Sequence, residues 1–499
     1  MARDDKEKVV LEGQAAIDLW LQGKDAWNKW VEENPVADIS FSGVDFSEFE
    51  RVSFQEYKFP NGNVDFSVTE FGECEVSFTE TNFGDGYVNF ASAKFSGDRV
   101  YFPRIKIGKG RVNFSRTMFG NGHVSFRFAN FGDGNVFFDG ASFGEGHVTF
   151  ANAKFGEGDV SFFMTSFSCR VLDFYNLKFT KGYVDFSHAK FTRGAITFES
   201  ADFGTGNVFF DLSLFGKVNV SFEQAKIDGA FRFSNIKNVN KIKSISFKYV
   251  TFDGAISMDG NHFNCVPDFT NTKLSHQLSL SHFSVKAKEK KPFKFLQKFF
   301  LQYQKTLWGS KIKFTSAKKA IYWAKSFSWL GKTSASDRYD IDRLRRLKEL
   351  AETNKHHQLA LDLHIEEMKC SRWIETPWQK LPVEFLFDKC GDYGRSIFRP
   401  IISLVLLWLS FAPIYALASS KKDVLSDALL FSFSQMFSLI PSSKDARTES
   451  SKELYGVVVD DKLIVDIPNY VFGLAGLQSI ASIALIFLVG LALRNRFRI

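Results

Sequence analysis

The chain has 499 residues, enough for several domains, and carries a net charge of +7. Its five Cys form no C-x-x-C pair and its first residues, MARDDKEK, lack the apolar core of a signal peptide, so a disulfide-stabilised secreted protein is not expected. The basic excess is local, because residues 286–325 hold twelve Lys and a single acidic residue.

The N-terminal segment, residues 1–38, is predicted to be a helical cap. Residues 13–35 have an amphipathic pattern with Trp20, Trp27 and Trp30. Such a helix is needed if a solenoid follows, because the end of a solenoid exposes unpaired strand edges and apolar rings.

Residues 39–285 are predicted to form a solenoid, and from Val64 to Phe222 they repeat the unit V-x-F-x-x-A-x-F-G-x-G-x every twelve residues. Val and Phe two residues apart point to one side of an extended chain, and the G-x-G segment is expected at every second corner, where Gly accepts a positive φ. Two units, 24 residues, therefore predict one four-sided coil with four Phe inside, and about ten such coils. The predicted core ladder is Phe66, Phe78, Phe90, Phe102, Phe114, Phe126, Phe138, Phe150, Phe162, Phe174, Phe186, Phe198, Phe210 and Phe222.

This pattern resembles the pentapeptide-repeat family, whose shorter unit is visible in Ile39-Ser-Phe41-Ser-Gly43 and Val44-Asp-Phe46-Ser-Glu48. The phrase GKDAWNKWVEENP before the first coil is similar to the opening of many bacterial members. The resemblance implies a right-handed quadrilateral parallel β-helix. The two-residue G-x-G insertion departs from the family and implies a larger coil.

Two helical regions are predicted between the repeats and the apolar C-terminal part. In residues 286–336, apolar and aromatic residues alternate with Lys, which favours a helix on an anionic membrane surface over a solvated connecting domain or a nucleic-acid patch. Residues 337–399 form a helical linker whose helices break near Asn354. His356, His357, His364 and Glu367 lack the spacing of a metal site, so an ordinary helical hairpin is favoured.

Two uncharged segments, residues 400–420 and 469–493, are long enough to cross a bilayer. Buried core helices of a soluble domain are the alternative. Basic residues precede the first segment and fill the tail, residues 494–499, which predicts a cytoplasmic location for both chain ends.

Residues 421–468 form the predicted outer loop, and residues 424–440 within it are apolar and short. They suit a re-entrant pore helix, an interfacial helix or, less well, a third span. The candidate pore-lining residues are Ser432, Ser434, Gln435, Ser438, Pro441 and Ser442. Packing between helices is the alternative role for these side chains, and no T-V-G-Y-G potassium filter is present.

Small residues recur along the second apolar segment as Gly473, Gly476, Ser479 and Ser482, a pattern that favours helix packing and oligomerisation. The segment DYGRSIFRP before the first span and GLALRNRFRI at the end are similar to bacterial pentapeptide-repeat proteins with a two-span, ion-channel-like carboxyl end. The juxtamembrane residues carried by this resemblance are Asp392, Tyr393, Arg395 and Arg399.

The sequence therefore favours an inner-membrane ion channel or pore, a homo-oligomer and by analogy a tetramer, whose cytoplasmic β-helix binds an unknown protein or ligand. A membrane-anchored scaffold without conductance is the second hypothesis. A DNA-mimicking topoisomerase inhibitor ranks last, because such inhibitors rely on an acidic, duplex-shaped surface and this chain is basic and has two predicted spans. No nucleic-acid partner is expected. No catalytic constellation, cofactor motif or metal motif is recognised, so no enzyme is expected.

Overall fold

The computed structural model describes residues 9–290, 334–372, 374–421, 423–438, 440–459 and 462–497. These residues form two compact units, residues 9–290 with 335–370 and residues 371–497. The predicted membrane-surface helix in residues 286–336 falls almost wholly outside the described residues.

The first unit is a parallel β-solenoid of about twelve turns, where about ten coils were predicted. One side of the solenoid is a twelve-stranded sheet, sheet A. Val64 pairs with Val88 and Val88 with Val112, so one coil takes the predicted 24 residues. The strands of sheet A are Val10–Glu12, Asp38–Ser40, Val64–Asp65, Val88–Asn89, Val112–Asn113, Val136–Phe137, Val160–Ser161, Val184–Asp185, Val208–Phe209, Phe231–Arg232, Ile256–Ser257 and Leu278–Ser279.

The other sides of the coil carry shorter strands and isolated bridges in the same parallel register. A thirteen-stranded sheet joins two sides through Lys190–Thr197 and Leu214–Ser221. Its other strands are Arg51–Ser53, Glu75–Ser77, Lys94–Phe95, Arg99–Tyr101, Met118–Phe119, His123–Ser125, Ser142–Phe143, His147–Thr149, Ser166–Phe167, Val171–Asp173 and Ser244–Ser246. Smaller sheets contain Lys226–Ile227, Thr251–Phe252 and Lys273–Leu274; His262–Phe263 and Ser284–Val285; and Glu289–Lys290 with Ser334–Ala335.

The core of the solenoid is made of stacked Phe rings, as predicted. All fourteen Phe of the predicted ladder are at most 1% exposed. Phe66 stacks on Phe90, one coil later, with ring centres 4.9 Å apart and planes 2° apart. Phe78, on the opposite side of the coil, meets Phe66 edge to face at 5.4 Å. Each ring therefore has both offset-stacked and edge-to-face neighbours, the two arrangements that aromatic quadrupoles favour.

The second Gly of each G-x-G is required for a reason other than the predicted one. A Cβ on Gly134 would overlap the carbonyl oxygen of Gly110 in the preceding coil, and Gly134 has no positive φ. The same overlap occurs along the column Gly86, Gly110, Gly158, Gly182 and Gly206. Close approach of adjacent coils selects Gly here, whereas a positive φ occurs at some first positions, such as Gly84 and Gly132.

A second corner of the repeat adopts positive φ without requiring Gly. Val68, Arg116, Phe128 and Asn152 all have φ between 57° and 60°, at the second residue after the Phe of V-x-F. Side chains of every class occupy this position, so its conformation follows from the coil and not from the residue.

The N-terminal cap is confirmed as helical, but it consists of two helices, α1 (Gly13–Leu21) and α2 (Lys24–Glu33). The single predicted helix breaks at Gly23, whose φ is 92°. Trp27 is fully buried against Phe41 and donates a hydrogen bond to the Lys58 carbonyl oxygen at 2.8 Å. The cap thus covers the first rings of the core.

The predicted helical hairpin, α3 (Asp340–Thr353) and α4 (His357–Ser371), packs on the last coils of the solenoid. Arg343 pairs with Asp268 at 3.0 Å, and the Asn354 side chain accepts a hydrogen bond from the Leu278 amide at 2.9 Å. Burial would raise the pKa of Glu367, but hydrogen bonds from His364, Lys348 and Arg345 outweigh it and lower the pKa to about 2. Glu367 therefore joins the two helices as a carboxylate paired with Arg345 and Lys348.

The second unit is helical. Its helices are α5 (Leu381–Gly391), α6 (Phe398–Ala418), α7 (Leu425–Met436), α8 (Ser442–Tyr455) and α9 (Asn469–Arg496), with short 3-10 turns at Trp378–Lys380 and Asp392–Gly394. An antiparallel hairpin, Gly456–Val459 and Lys462–Val465, connects α8 to α9.

We expect Phe138→Ala to destabilise the solenoid by about 3–5 kcal/mol, because it leaves a cavity in the ring stack. The neighbouring Phe137 points outward and lies half-buried, with Arg111 at 5.4 Å from its ring. Phe137→Ala should therefore cost about 1 kcal/mol or less. Hydrogen exchange of the sheet A amides in the full-length protein measures both; equal losses would show that the ring stack does not carry the stability.

Gly134→Ala should destabilise the coil by about 1–3 kcal/mol, because the added Cβ forces two backbones apart. Gly140 has φ 65°, but the nearest atom to an added Cβ is 3.8 Å away and Asn occupies its turn position at 152 and 176. Gly140→Asn should therefore change stability by about 0.5 kcal/mol or less. The thermal unfolding midpoints of the two variants compare them, and a larger loss in Gly140→Asn would contradict the close-approach argument.

Candidate functional site: a helical hairpin between two apolar helices

The second unit contains two helices that could cross a membrane by length and composition. Helix α6 has 21 residues and α9 has 28, and each contains an 18-residue stretch with a mean hydropathy of 2.2. They coincide with the predicted segments 400–420 and 469–493. Pro413 lies inside α6, and the helix continues through it.

The short helix α7 lies between these two helices. The Ser432 hydroxyl donates to the Trp408 carbonyl oxygen at 2.9 Å, and the Ser479 hydroxyl donates to the Gln435 carbonyl oxygen at 2.9 Å. Trp408 and Ser479 each lie about 15 Å along their helix from the end nearest the loop, at 1.5 Å per residue. The end of α7 therefore reaches about the middle of a bilayer core of about 30 Å, if α6 and α9 span one.

Helix α8 returns the chain from that depth. The Arg447 guanidinium donates to the Ser434 carbonyl oxygen at 3.1 Å, near the deep end of α7. At its other end, the Tyr455 hydroxyl donates to the Tyr415 carbonyl oxygen at 3.1 Å. The helix sequence, SSKDARTESSKELY, is strongly hydrophilic, with Lys444, Asp445, Glu449 and Lys452 exposed. The hairpin thus combines an apolar inward arm and a charged outward arm.

A buried hydrogen-bond network fixes the apolar arm. The Tyr415 hydroxyl donates to Gln478 Oε1 at 2.8 Å, and Gln478 Nε2 donates to the Ser432 hydroxyl at 2.8 Å. Gln478 and Ser432 are fully buried. The network joins α6, α7 and α9 in a region where an unpaired polar group would cost several kcal/mol.

The structure separates the predicted pore residues into two groups. Ser432 and Ser434 are buried and donate their hydroxyl hydrogens to carbonyl oxygens within the unit. Gln435 and Ser438 line one cavity at the end of α7, and Pro441 and Ser442 are exposed at the turn into α8. A role in conduction stays a prediction for all six residues.

The predicted small-residue stripe of α9 is also divided between two faces. Gly473 and Gly476 are exposed, and nothing lies within 4 Å of a Cβ built on either. Ser479 and Ser482 face α7 and the inside of the unit, where both donate hydrogen bonds. Only the two Gly positions are free to pack against another chain.

The juxtamembrane segment forms a tight turn between α5 and α6. Asp392, Tyr393 and Gly394 all have positive φ, and the Asn495 side chain donates to the Gly394 carbonyl oxygen at 3.1 Å. The buried Arg372 holds this turn from the other side, with hydrogen bonds to Tyr393 and to Glu384 at 2.9 Å. Burial raises the pKa of Tyr393, so it contributes a neutral hydroxyl at physiological pH.

The other two predicted juxtamembrane residues lie at the surface of this turn. Arg399 and Arg395 are half-exposed and approach Asp392 at 3.5 and 3.8 Å. Exposed pairs at this distance contribute about 0–1 kcal/mol. They fit the role expected of basic residues that flank a span.

Sequence reasoning missed Gln478 and Arg372. Gln478 is the one strongly polar side chain in the middle of the apolar segment 469–493, a signal for a partnered or functional intramembrane group. Arg372 gives no such signal, because its partners Glu384 and Asp388 lie 12 and 16 residues away along the chain.

No protein-family model, curated protein or solved structure matches this chain. The structure by itself shows a β-solenoid and a C-terminal helical unit with two apolar helices.

Gln478→Leu should destabilise the second unit by about 1–3 kcal/mol, because it leaves the Tyr415 and Ser432 hydroxyls with one partner fewer. Leu477→Ala is the matched control, since Leu477 is 62% exposed on the same helix. The thermal unfolding midpoint in detergent measures both variants. No loss in Gln478→Leu would show that the network does not hold α7 in place.

Proposed function

We propose that this chain is a subunit of an oligomeric membrane pore or ion channel of the bacterial inner membrane, related to pentapeptide-repeat proteins. Both chain ends lie in the cytoplasm, where the solenoid binds a protein or ligand that biases opening. The chain is not an enzyme, and tetrameric assembly is an analogy with two-span channels.

The observation that carries the proposal is the hydrophilic helix α8. A charged helix that starts near the middle of two apolar helices cannot contact lipid there, because charged side chains are costly in hydrocarbon. Polar segments at membrane depth are found where protein or a water-filled cavity surrounds them. Its exposed Lys444, Thr448 and Glu449 therefore fit the wall of an aqueous path between subunits.

The exteriors of the two apolar helices support the membrane location. Leu406 and Leu417 on α6 and Phe472, Ile480 and Phe487 on α9 are all more than 60% exposed. A soluble domain rarely exposes so many large apolar side chains on two adjacent helices. Lipid or a neighbouring subunit would cover them.

A membrane-anchored scaffold is the second candidate. It is favoured by the internal use of Ser432 and Ser434, whose hydroxyls are buried and bonded within one chain. In that case the hairpin packs the anchor and conducts nothing.

We expect discrete single-channel currents from the purified protein in planar bilayers. Glu449→Lys should change the cation-to-anion permeability ratio measured from reversal potentials, because it reverses a charge on the proposed pore wall. Glu366→Lys, a charge reversal on α4 in the first unit, is the control and should leave the ratio unchanged.

Thiol modification supplies the second readout. Burial raises the pKa of Cys169 and Cys265 to about 12, so these thiols react slowly at neutral pH. In a Cys390→Ser background, a membrane-impermeant charged thiol reagent should alter the current of Thr448→Cys and leave Ile480→Cys unaffected. If the folded protein gives no current even in the presence of the partner that binds its solenoid, the membrane-anchored scaffold is favoured.

A further inference from the structure

A cavity of about 350 Å³ lies between the deep end of α7, the middle of α8 and the first half of α9. Its wall is apolar on the side of α9, where it contains Val471 and Phe472, and it includes the hydroxyl-bearing residues Thr448 and Ser451 on the side of α8. Among the described residues that line the cavity, Arg447 alone carries a charge. The cavity is therefore a small, partly apolar chamber with a net positive charge.

The Arg447 guanidinium has unused hydrogen-bonding capacity. Its Nη2 donates to the Ser434 carbonyl oxygen at 3.1 Å and to the Ser443 hydroxyl at 3.3 Å. Nε is buried and lacks a partner, and Nη1 forms no hydrogen bond with a described residue. No described carboxylate forms an ion pair with the guanidinium. Since both of its acceptors are neutral, its positive charge is not compensated within the described part of the unit.

The acidic residues that flank Arg447 on α8 do not face the cavity. Asp445 and Glu449 each lie two residues from Arg447, which places them about 200° around the helix from it. Both are exposed, and neither is among the residues that line the cavity. These two carboxylates therefore do not neutralise Arg447, and the side of α8 that faces the cavity is positive.

The depth of Arg447 makes a counter-ion necessary. The Ser434 carbonyl oxygen that it binds lies two residues before the end of α7, which reaches about the middle of a bilayer core of about 30 Å. An unpaired charge at that depth is costly, and lipid phosphates are about 15 Å away at the edge of the core. The counter-ion must therefore come from the aqueous path that we propose along α8.

The size and the wall of the cavity indicate a small anion that holds its water weakly. One water takes about 30 Å³ in the liquid, so the cavity has room for an anion with part of its hydration shell. Thr448 lines the cavity and is also exposed, so the anion can enter from the surface of α8. Because Val471 and Phe472 cannot replace lost water, nitrate and chloride are favoured over sulfate.

We propose that this cavity binds a small monovalent anion and that the pore selects anions over cations. The anion accepts a hydrogen bond from Arg447 Nη1 and compensates the charge of the guanidinium. In an oligomer, one site per subunit gives a ring of Arg side chains around the path, an arrangement that favours anions in pores. The selectivity rests on the proposed function, whereas binding of the anion to the cavity does not depend on conduction.

Chlorine NMR of sodium chloride tests the site without a current, with the full-length protein in detergent. Chloride that exchanges with a protein site gives a broadened line, and we expect nitrate to remove that broadening at lower concentrations than sulfate. Arg447→Gln should weaken chloride binding about tenfold or more, because a charge-assisted hydrogen bond is lost. Lys452→Gln is the matched control, since it removes an exposed cation from the same helix and should bind as the wild type does.

Arg447→Lys guards against misfolding of Arg447→Gln. It keeps the charge beside the cavity but loses the planar, forked geometry with which the guanidinium bridges Ser434 and Ser443. We expect this variant to retain most of the chloride binding. If Arg447 served only to join α7 to α8, Arg447→Lys would bind chloride no better than Arg447→Gln.

Reversal potentials in planar bilayers with a sodium chloride gradient test the selectivity. We expect the wild-type potential to lie close to the chloride equilibrium potential. It should shift toward the sodium equilibrium potential in Arg447→Gln and stay in place in Lys452→Gln.

Three further results would overturn the proposal. The wild type could show no chloride broadening that nitrate removes, or Arg447→Gln could bind chloride as the wild type does. Currents that follow the sodium gradient would also reject it, and they would leave the proposed channel intact. Chloride binding that depends on Arg447, together with a silent bilayer, would support the cavity site and count against conduction, so the two proposals fail separately.

Discussion

The stacking of Phe rings at the spacing of neighbouring strands is the interaction on which the solenoid depends. Parallel strands lie about 4.8 Å apart, and aromatic rings pack offset at nearly the same distance. Phe138 and Phe162, for example, stack at 4.9 Å with their planes 4° apart. A single repeat distance therefore suits both the backbone hydrogen bonds and the stacked rings. At that distance the corners of adjacent coils lie so close together that Gly134 has no room for a Cβ.

The second unit has a different constraint: polar groups buried between apolar helices need hydrogen-bond partners within the unit. Gln478 resolves it by bonding Tyr415 and Ser432 on two other helices. That network holds α7 at half the length of the apolar helices and so fixes where α8 begins. The hydrophilic sequence of α8 is the feature that favours a hairpin facing water over a simple membrane anchor.

The core residues of the solenoid could be predicted from the sequence, because they repeat. The 24-residue coil followed from the spacing of Phe66, Phe90 and their equivalents. Features set by the whole coil could not: the positive φ at Phe128 has no residue signature, and the glycine columns depend on a coil 24 residues away. In the second unit the two apolar helices could be predicted from composition, whereas the position of α7 between them depends on Gln478, whose partners are 46 and 63 residues away. The helix break at Gly23 could have been predicted from the glycine, but a single helix was predicted there.

The water accessibility of α8 in a membrane decides between a hairpin that faces water and one that faces lipid. A nitroxide spin label at Glu449→Cys, in a Cys390→Ser background reconstituted in liposomes, reports collisions with a water-soluble nickel chelate and with oxygen. We expect frequent collisions with the chelate at this position and few at Ile480→Cys on the outer face of α9. Collisions at Glu449→Cys dominated by oxygen would place α8 in lipid and rule out a water-filled path along it.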